Sequence, residues 1–344
     1  MIATVPTDSW PHALCYNPTN NKVYCANYYG ATVTIIDGAS DSVIAKVAAG
    51  HRPCALCYNP TDNKVYCANY GSAIVMVIDG TTNIVIAIPV TGRYPQALCY
   101  NPQDNKVYCA NYGSANVTVI DGATDLVIDT VSAGSQPYVL CYNSQNDKVY
   151  CANYGSGNVT VIDGASDSVV ATVAADSQPC ALCHNPQDNK VYCANAGTQE
   201  FPDSTVTVID GATNEVDTTI VVGLEPLALA CNPTQNRVYV ANYYWSSISV
   251  LRDSAGGIQE GVATRLAGSK PMPTVVRGVL FLSEVPSRKP QAASLLDISG
   301  RKVMNLRPGA NDVRALAPGV YFVREEPQAA SSKPQAVRKV VVTR

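Results

Sequence analysis

Apolar and polar residues alternate along most of this chain in short runs, and turn residues separate the runs at even intervals. In one stretch the runs are "ALCYN" at 97–101, "KVYCANY" at 106–112, "NVTVIDG" at 116–122 and "LVIDTV" at 126–131. Alternation rich in β-branched and aromatic residues predicts strands. The connectors "NPQDNK" and "DGATD" supply the backbone angles of tight turns, and no segment shows a 3.6-residue apolar period. The chain is therefore expected to be all-β.

The four-run pattern repeats. "PHALCYNPTNNKVYCAN" from Pro11 returns with small changes from Pro53, Pro95, Pro137 and Pro179, and a divergent copy, "PLALACNPTQNRVYVAN", starts at Pro226. The first four copies are spaced by 42 residues, and four antiparallel strands per repeat of that length predict a β-propeller blade. The opening "MIATVPTDSWP" aligns with "VIAKVAAGHRP" at 43–53, the last strand of a repeat. Six copies plus one strand predict six or seven four-stranded blades. Either the gene product is longer or this N-terminus supplies the outer strand of the closing blade; no basic segment precedes an apolar run in the manner of a signal peptide.

"VYCANYGSANVTVIDGATDLVIDTVSAG" at 107–134 resembles the YVTN repeat of surface-protein β-propellers, with Tyr-Val-Thr-Asn appearing as Tyr-Cys-Ala-Asn. The resemblance covers 1–267 and implies a fold and an extracellular setting, not a reaction. From Gly268 cysteine disappears and Arg and Lys become frequent: residues 1–267 carry 11 basic and 22 acidic side chains, net −11, and residues 268–344 carry 13 and 5, net +8. In this tail, "SLLDISGRKVMNLRPGANDVRALAPGVYFVRE" and the final "VRKVVVTR" resemble the type A C-terminal sorting domain of type IX secretion substrates. That resemblance implies a small immunoglobulin-like β-sandwich over 268–344, export across a bacterial outer membrane through the secretion machinery, and cleavage during surface attachment. Gly300, Gly309 and Gly319 fit its turns, and Val320–Val323 with Lys339–Val342 fit its late strands. The insert "EEPQAASSKPQA" departs from the pattern and reads as a loop.

Ten of the thirteen cysteines form five Cys-x9-Cys pairs: Cys15 with Cys25, Cys57 with Cys67, Cys99 with Cys109, Cys141 with Cys151, and Cys183 with Cys193. With the connecting turn centred midway, each pair faces across neighbouring strands at a separation that disulfides accept. The sixth repeat lacks both members, having Ala230 and Val240. In an oxidising exterior each bridge would contribute roughly 2–3 kcal/mol; in a reduced protein the same residues are small apolar core side chains. Cys54, Cys180 and Cys231 are left over. Cys180, Cys183 and His184 match the Cys-x-x-Cys-His spacing of covalent haem attachment. The match is a variant of the repeat in which His184 replaces a Tyr, and the expectation is no cofactor and no metal.

Asp37, Asp79, Asp121, Asp163 and Asp210 all lie in "IDG" turn signals and read as structural. Tyr58 and Tyr66 are expected to form a cross-strand pair. The repeat tyrosines are read first as packing, then as an exposed aromatic binding surface. One blade departs from the pattern, with five extra residues in "NAGTQEFPDSTV" at 195–206. Insertions confined to one loop carry function more often than framework does, so Thr198, Gln199, Glu200, Phe201 and Pro202 are expected to contact a ligand or partner. No convergent catalytic set is found, and the acidic large domain disfavours nucleic acid. No apolar run is long enough to span a bilayer. The expected protein is a non-enzymatic scaffold, extracellular or on the outer surface of a bacterium, used for adhesion, ligand binding or self-assembly as a homo-oligomer or polymer. The alternative is a secreted propeller enzyme or haem-carrying electron-transfer protein.

Overall fold

The computed structural model describes residues 2–198, 200, 202–252 and 259–261, and beyond them 274–276, 279–282, 293–296, 301–306, 309–312, 316, 319–325 and 337–342. It divides into two compact units, Met1–Thr264 and Arg265–Arg344.

The first unit holds six four-stranded antiparallel sheets, each with its strands in chain order, numbered here as blades 1 to 6. In blade 2 the strands are Pro53–Asn59, Lys64–Asn69, Ile74–Asp79 and Val85–Ala87. The first strands of successive blades lie against one another on the inner side, and the fourth strands expose Ile86, Ile128 and Val170 at the rim. Every residue of Lys64–Asn69 is buried, because a blade has a neighbour on each face. Val65 and Cys67 pack with Leu56 and Tyr58 against Tyr24, Val33 and Ile35 of blade 1. Tyr66 and Ala68 pack with Cys57 against Val107, Cys109 and Ile120 of blade 3. Each fully buried aliphatic side chain contributes about 1.5–3 kcal/mol, so the junctions between blades are where the core lies.

Polar groups tie the same junctions at the end that carries the "DG" turns. Lys64 Nζ donates to Gly122 O at 2.8 Å and pairs with Asp125 at 3.0 Å, and the Tyr66 hydroxyl donates to the other Asp125 oxygen at 2.7 Å. Lys106, Tyr108 and Asp167 repeat this arrangement one blade further on.

Among the described residues, the first and last blades each have a neighbouring sheet on one face only. Leu14 is 71% and Tyr16 54% exposed, where Leu56 and Tyr58 are half-buried, and Ile248 is 55% exposed where Val75 and Val117 are buried. Six blades are described, and a ring of about seven fits. Residues 2–7 form no strand, although the repeat segment they align with belongs to the strand Ser42–Ala48.

Two sequence expectations are corrected by strand register. The first hairpin of a blade closes with Asn17 opposite Lys22 around a four-residue turn, in which Asn21 is left-handed at φ 50°. Cys15 is therefore opposite Tyr24, and Cys25 opposite Leu14. The same register sets Cys57 opposite Tyr66, Cys99 opposite Tyr108, Cys141 opposite Tyr150 and Cys183 opposite Tyr192. A one-residue offset puts the two side chains on opposite faces. Cys15–Cys25, Cys57–Cys67, Cys99–Cys109, Cys141–Cys151 and Cys183–Cys193 are thus not facing pairs, and all thirteen cysteines are free thiols. For the same reason Tyr58 pairs with Val65, not with Tyr66.

The second unit is also built of strands. Thr274–Val276, Val337–Val342, Gly319–Glu325, Ala293–Leu296 and Lys302–Leu306 form a five-stranded sheet in that order, and Val279–Leu282 pairs with Gly309–Asp312. Val320 to Val323 run antiparallel to Arg338–Val341, the two segments the sequence marks as late strands. The insert at 326–336 and Gly300 lie outside the described residues.

Candidate functional site

In each blade the chain arrives at the first strand through a residue in the left-handed region: Trp10, Arg52, Tyr94, Gln136, Gln178 and Glu225, all with φ between 55° and 58°. The carbonyl accepts a hydrogen bond from the residue just after the second strand: Trp10 from Tyr28 at 2.8 Å, Arg52 from Tyr70 at 2.9 Å, Tyr94 from Tyr112 at 2.9 Å and Gln136 from Tyr154 at 2.9 Å. The backbone is thus repeated, while the side chain presented on it changes from blade to blade. Two positions further on the side chains differ again: His12, Cys54, Gln96, Tyr138, Cys180 and Leu227.

Six of these twelve variable positions, all in blades 1 to 4, converge. A cavity of about 580 Å³ opens at this end of the blades, and Trp10, His12, Arg52, Cys54, Gln96 and Tyr138 line it together with the repeated tyrosines 28, 70, 112 and 154. The aromatic rings form a nearly continuous belt. Trp10 meets Tyr29 edge-on at 4.7 Å, Tyr70 stacks on Tyr94 at 4.9 Å with planes 16° apart, and Tyr138 lies 5.4 Å from Tyr154. Arg52 sits over the Tyr28 ring at 5.8 Å and Arg93 over Tyr94 at 5.4 Å. Such contacts hold a guanidinium in place while leaving its edge donors available. His12 Nδ1 is 3.0 Å from Cys54 O. Burial pushes the Tyr70, Tyr138 and Tyr154 phenols above their ordinary range, so they remain neutral hydrogen-bonding groups. Gly113 lets the Tyr94 ring lie on the turn of blade 3, because a Cβ there would collide with Tyr94 Cδ2.

The insertion in blade 5 lies in the turn between the second and third strands, the turn that carries Tyr112 in blade 3, and so at the same end as the cavity. It lengthens these strands to Lys190–Gly197 and Pro202–Asp210, with Gly197 opposite Pro202. Thr198 and Glu200 are exposed and Pro202 is half-buried; Gln199 and Phe201 lie outside the described residues.

The haem-like residues are dispersed. Cys180 lies in a bulge of the first strand of blade 5, its thiol donating to Pro226 O at 3.2 Å. Cys183 is buried towards blade 6, and His184, next in the strand, points to the opposite face. Among the described residues no group of three His, Cys, Asp or Glu side chains is placed to hold a metal ion. The "IDG" aspartates close turns: Asp37 Oδ1 accepts from the backbone N and the hydroxyl of Ser40 at 2.8 and 2.7 Å, and Asp121 Oδ1 accepts from those of Thr124 at 2.7 and 2.6 Å.

Repeated four-stranded antiparallel sheets packed face to face, with their first strands inside, define a β-propeller. Solved structures agree on that fold. The chain is similar to hydrazine synthase of Kuenenia stuttgartiensis, with 20% identity and a TM-score of 0.59 over 72% of this chain and 78% of that one. It is similar also to a chain of the mitotic checkpoint complex, at 16%, 0.60, 75% and 80%, and to U3-55K, at 9%, 0.58, 75% and 82%. At these identities the likeness is one of fold. No family model matches the chain, and no curated protein does.

Proposed function

We propose that this protein is a non-enzymatic propeller scaffold that binds an acidic glycan at the aromatic mouth, and that it works outside a bacterial cell. The observation that carries the reading is the distribution of change among the repeats. Framework positions such as Val65, Tyr66 and Asn69 recur almost unaltered, while the variable positions that line the cavity hold Trp10, His12, Arg52, Cys54, Gln96 and Tyr138. Flat aromatic faces with phenolic hydroxyls suit sugar rings, and Arg52, which lines the cavity, offers paired donors that match a carboxylate. Thr198 and Glu200 of the insertion are exposed at the same end. Export and surface placement rest on the resemblance of 268–344 to a type IX sorting domain and of the repeats to YVTN propellers. Self-association of copies is supported by the exposed apolar side chains Leu14, Tyr16 and Ile248 on blades 1 and 6 and by the opposite charges of the two parts of the sequence.

Calorimetric titration of the full chain with polygalacturonate, with neutral dextran as control, tests the reading. Saturable binding to the acidic polymer, weakened about tenfold or more by Arg52→Ala or Tyr70→Ala and unchanged by Ile128→Ala at the outer rim, is the expected result. Equal affinity in all three variants would place the binding elsewhere.

A further inference from the structure

The junction between blades 5 and 6 departs from the other four. At each earlier junction the first-strand cysteine of one blade lies beside an aromatic residue of the next: Cys15 by Tyr58, Cys57 by Tyr100, Cys99 by Tyr142, and Cys141 by the backbone of His184. The sixth repeat reads "LAC" where the others read "LCY" or "LCH", so Ala230 takes the cysteine position and Cys231 the aromatic one. The side chain that meets Cys183 from blade 6 is therefore Cys231, and both join the cluster that also holds Val206, Val238 and Leu229. The two thiols share this one cluster at the junction, whereas at the earlier junctions the residue in the position of Cys231 is aromatic. Cys183 is buried and Cys231 half-buried.

We infer that Cys183 and Cys231 form a redox clasp, a disulfide that links blade 5 to blade 6 in an oxidising medium and opens in a reducing one. The inference is independent of what the mouth binds. The oxidant is a small-molecule disulfide such as oxidised glutathione. Cys231, the more accessible thiol, loses its proton to solvent and attacks one sulfur of that disulfide, expelling a small thiolate and leaving a mixed disulfide. The Cys183 thiolate then attacks the Cys231 sulfur and expels the second small thiolate. Two protein thiols have given up two electrons and two protons, and one small disulfide has become two thiols. Exposure sets this order: Cys183 is buried and Cys231 half-buried, so Cys231 is the thiol that meets the small disulfide first. Closing the link fastens the sixth blade, which has a described neighbour on one side only.

Full-length protein incubated with oxidised or reduced glutathione, then digested without reduction, supplies the test. The expected result is a peptide cross-linked through Cys183 and Cys231 in the oxidised sample, together with a thermal midpoint several degrees above that of the reduced sample. Cys231→Tyr, which restores the residue of the other repeats and keeps the packing, is expected to lose both the cross-link and the difference in midpoint. Cys183→Ser serves as a second variant. A glutathione adduct that persists on Cys231, a cross-link from Cys183 to Cys193 instead, or no cross-link in well-folded oxidised protein would each overturn the clasp.

Discussion

The second-strand cysteines have a role that needs no bridge. Cys25, Cys109 and Cys151 each donate at 3.6 Å to Oδ1 of the asparagine two residues on, Asn27, Asn111 and Asn153. That asparagine is buried and fixes the turn to the third strand: Asn111 Nδ2 donates to Asn116 at 2.8 Å and to Thr118 Oγ1 at 2.8 Å. The sixth repeat tests the assignment within the molecule, because Val240 has no donor and the buried Oδ1 of Asn242 is left without a hydrogen bond. Val240→Cys is expected to stabilise the protein by up to about 1 kcal/mol, and Cys109→Val to destabilise it by about 1–2 kcal/mol, with urea unfolding as the measurement. The turn aspartates Asp37, Asp79, Asp121, Asp163 and Asp210 are held below their ordinary 3.8 by the hydroxyls and backbone amides they accept from. A depressed folded value means stability that is complete above the unfolded pKa and is lost as pH falls below it. The thermal midpoint is thus expected to drop as pH is lowered below about 4, and Asp121→Asn to make that drop shallower.

At the scale of strands and hairpins, the repeat was fully legible, since alternation and turn chemistry are local. Their fine register was not. Cys-x9-Cys spacing is compatible with turns of either parity, and only the left-handed Asn21 and its counterparts, closing a four-residue loop, turn the two cysteines to opposite faces. The clue was Asn at the last turn position, which tolerates that conformation. The mouth was partly legible: the tyrosines stood out as an aromatic surface, but the variable positions became a site only once their shared backbone brought them to one end. Arg52 and Trp10 had no motif to mark them. Junction contacts between blades were likewise invisible from one repeat alone. Asp125→Ala is expected to cost about 2–4 kcal/mol, because it strands a mostly buried Lys64 and the Tyr66 hydroxyl; chemical denaturation reads this directly. Deleting residues 198–202 from the blade 5 turn is expected to weaken ligand binding while leaving the thermal midpoint within a degree or two, since the other repeats close this turn without those residues.

As a whole molecule, the first unit is a stack of nearly identical sheets whose stability resides in nearest-neighbour junctions, and this separates holding the fold from presenting a surface. The end of the blades that carries the cavity varies its side chains on a repeated backbone, which is what a recognition scaffold requires. The most direct check of that claim uses Trp10, which lines the mouth, in a Trp245→Phe background that leaves it the sole tryptophan. Fluorescence of this full-length protein is followed during titration with polygalacturonate. The account predicts a saturable change in Trp10 emission whose midpoint moves to higher ligand concentration in Arg52→Ala. Binding seen by calorimetry with Trp10 emission unchanged throughout would contradict it.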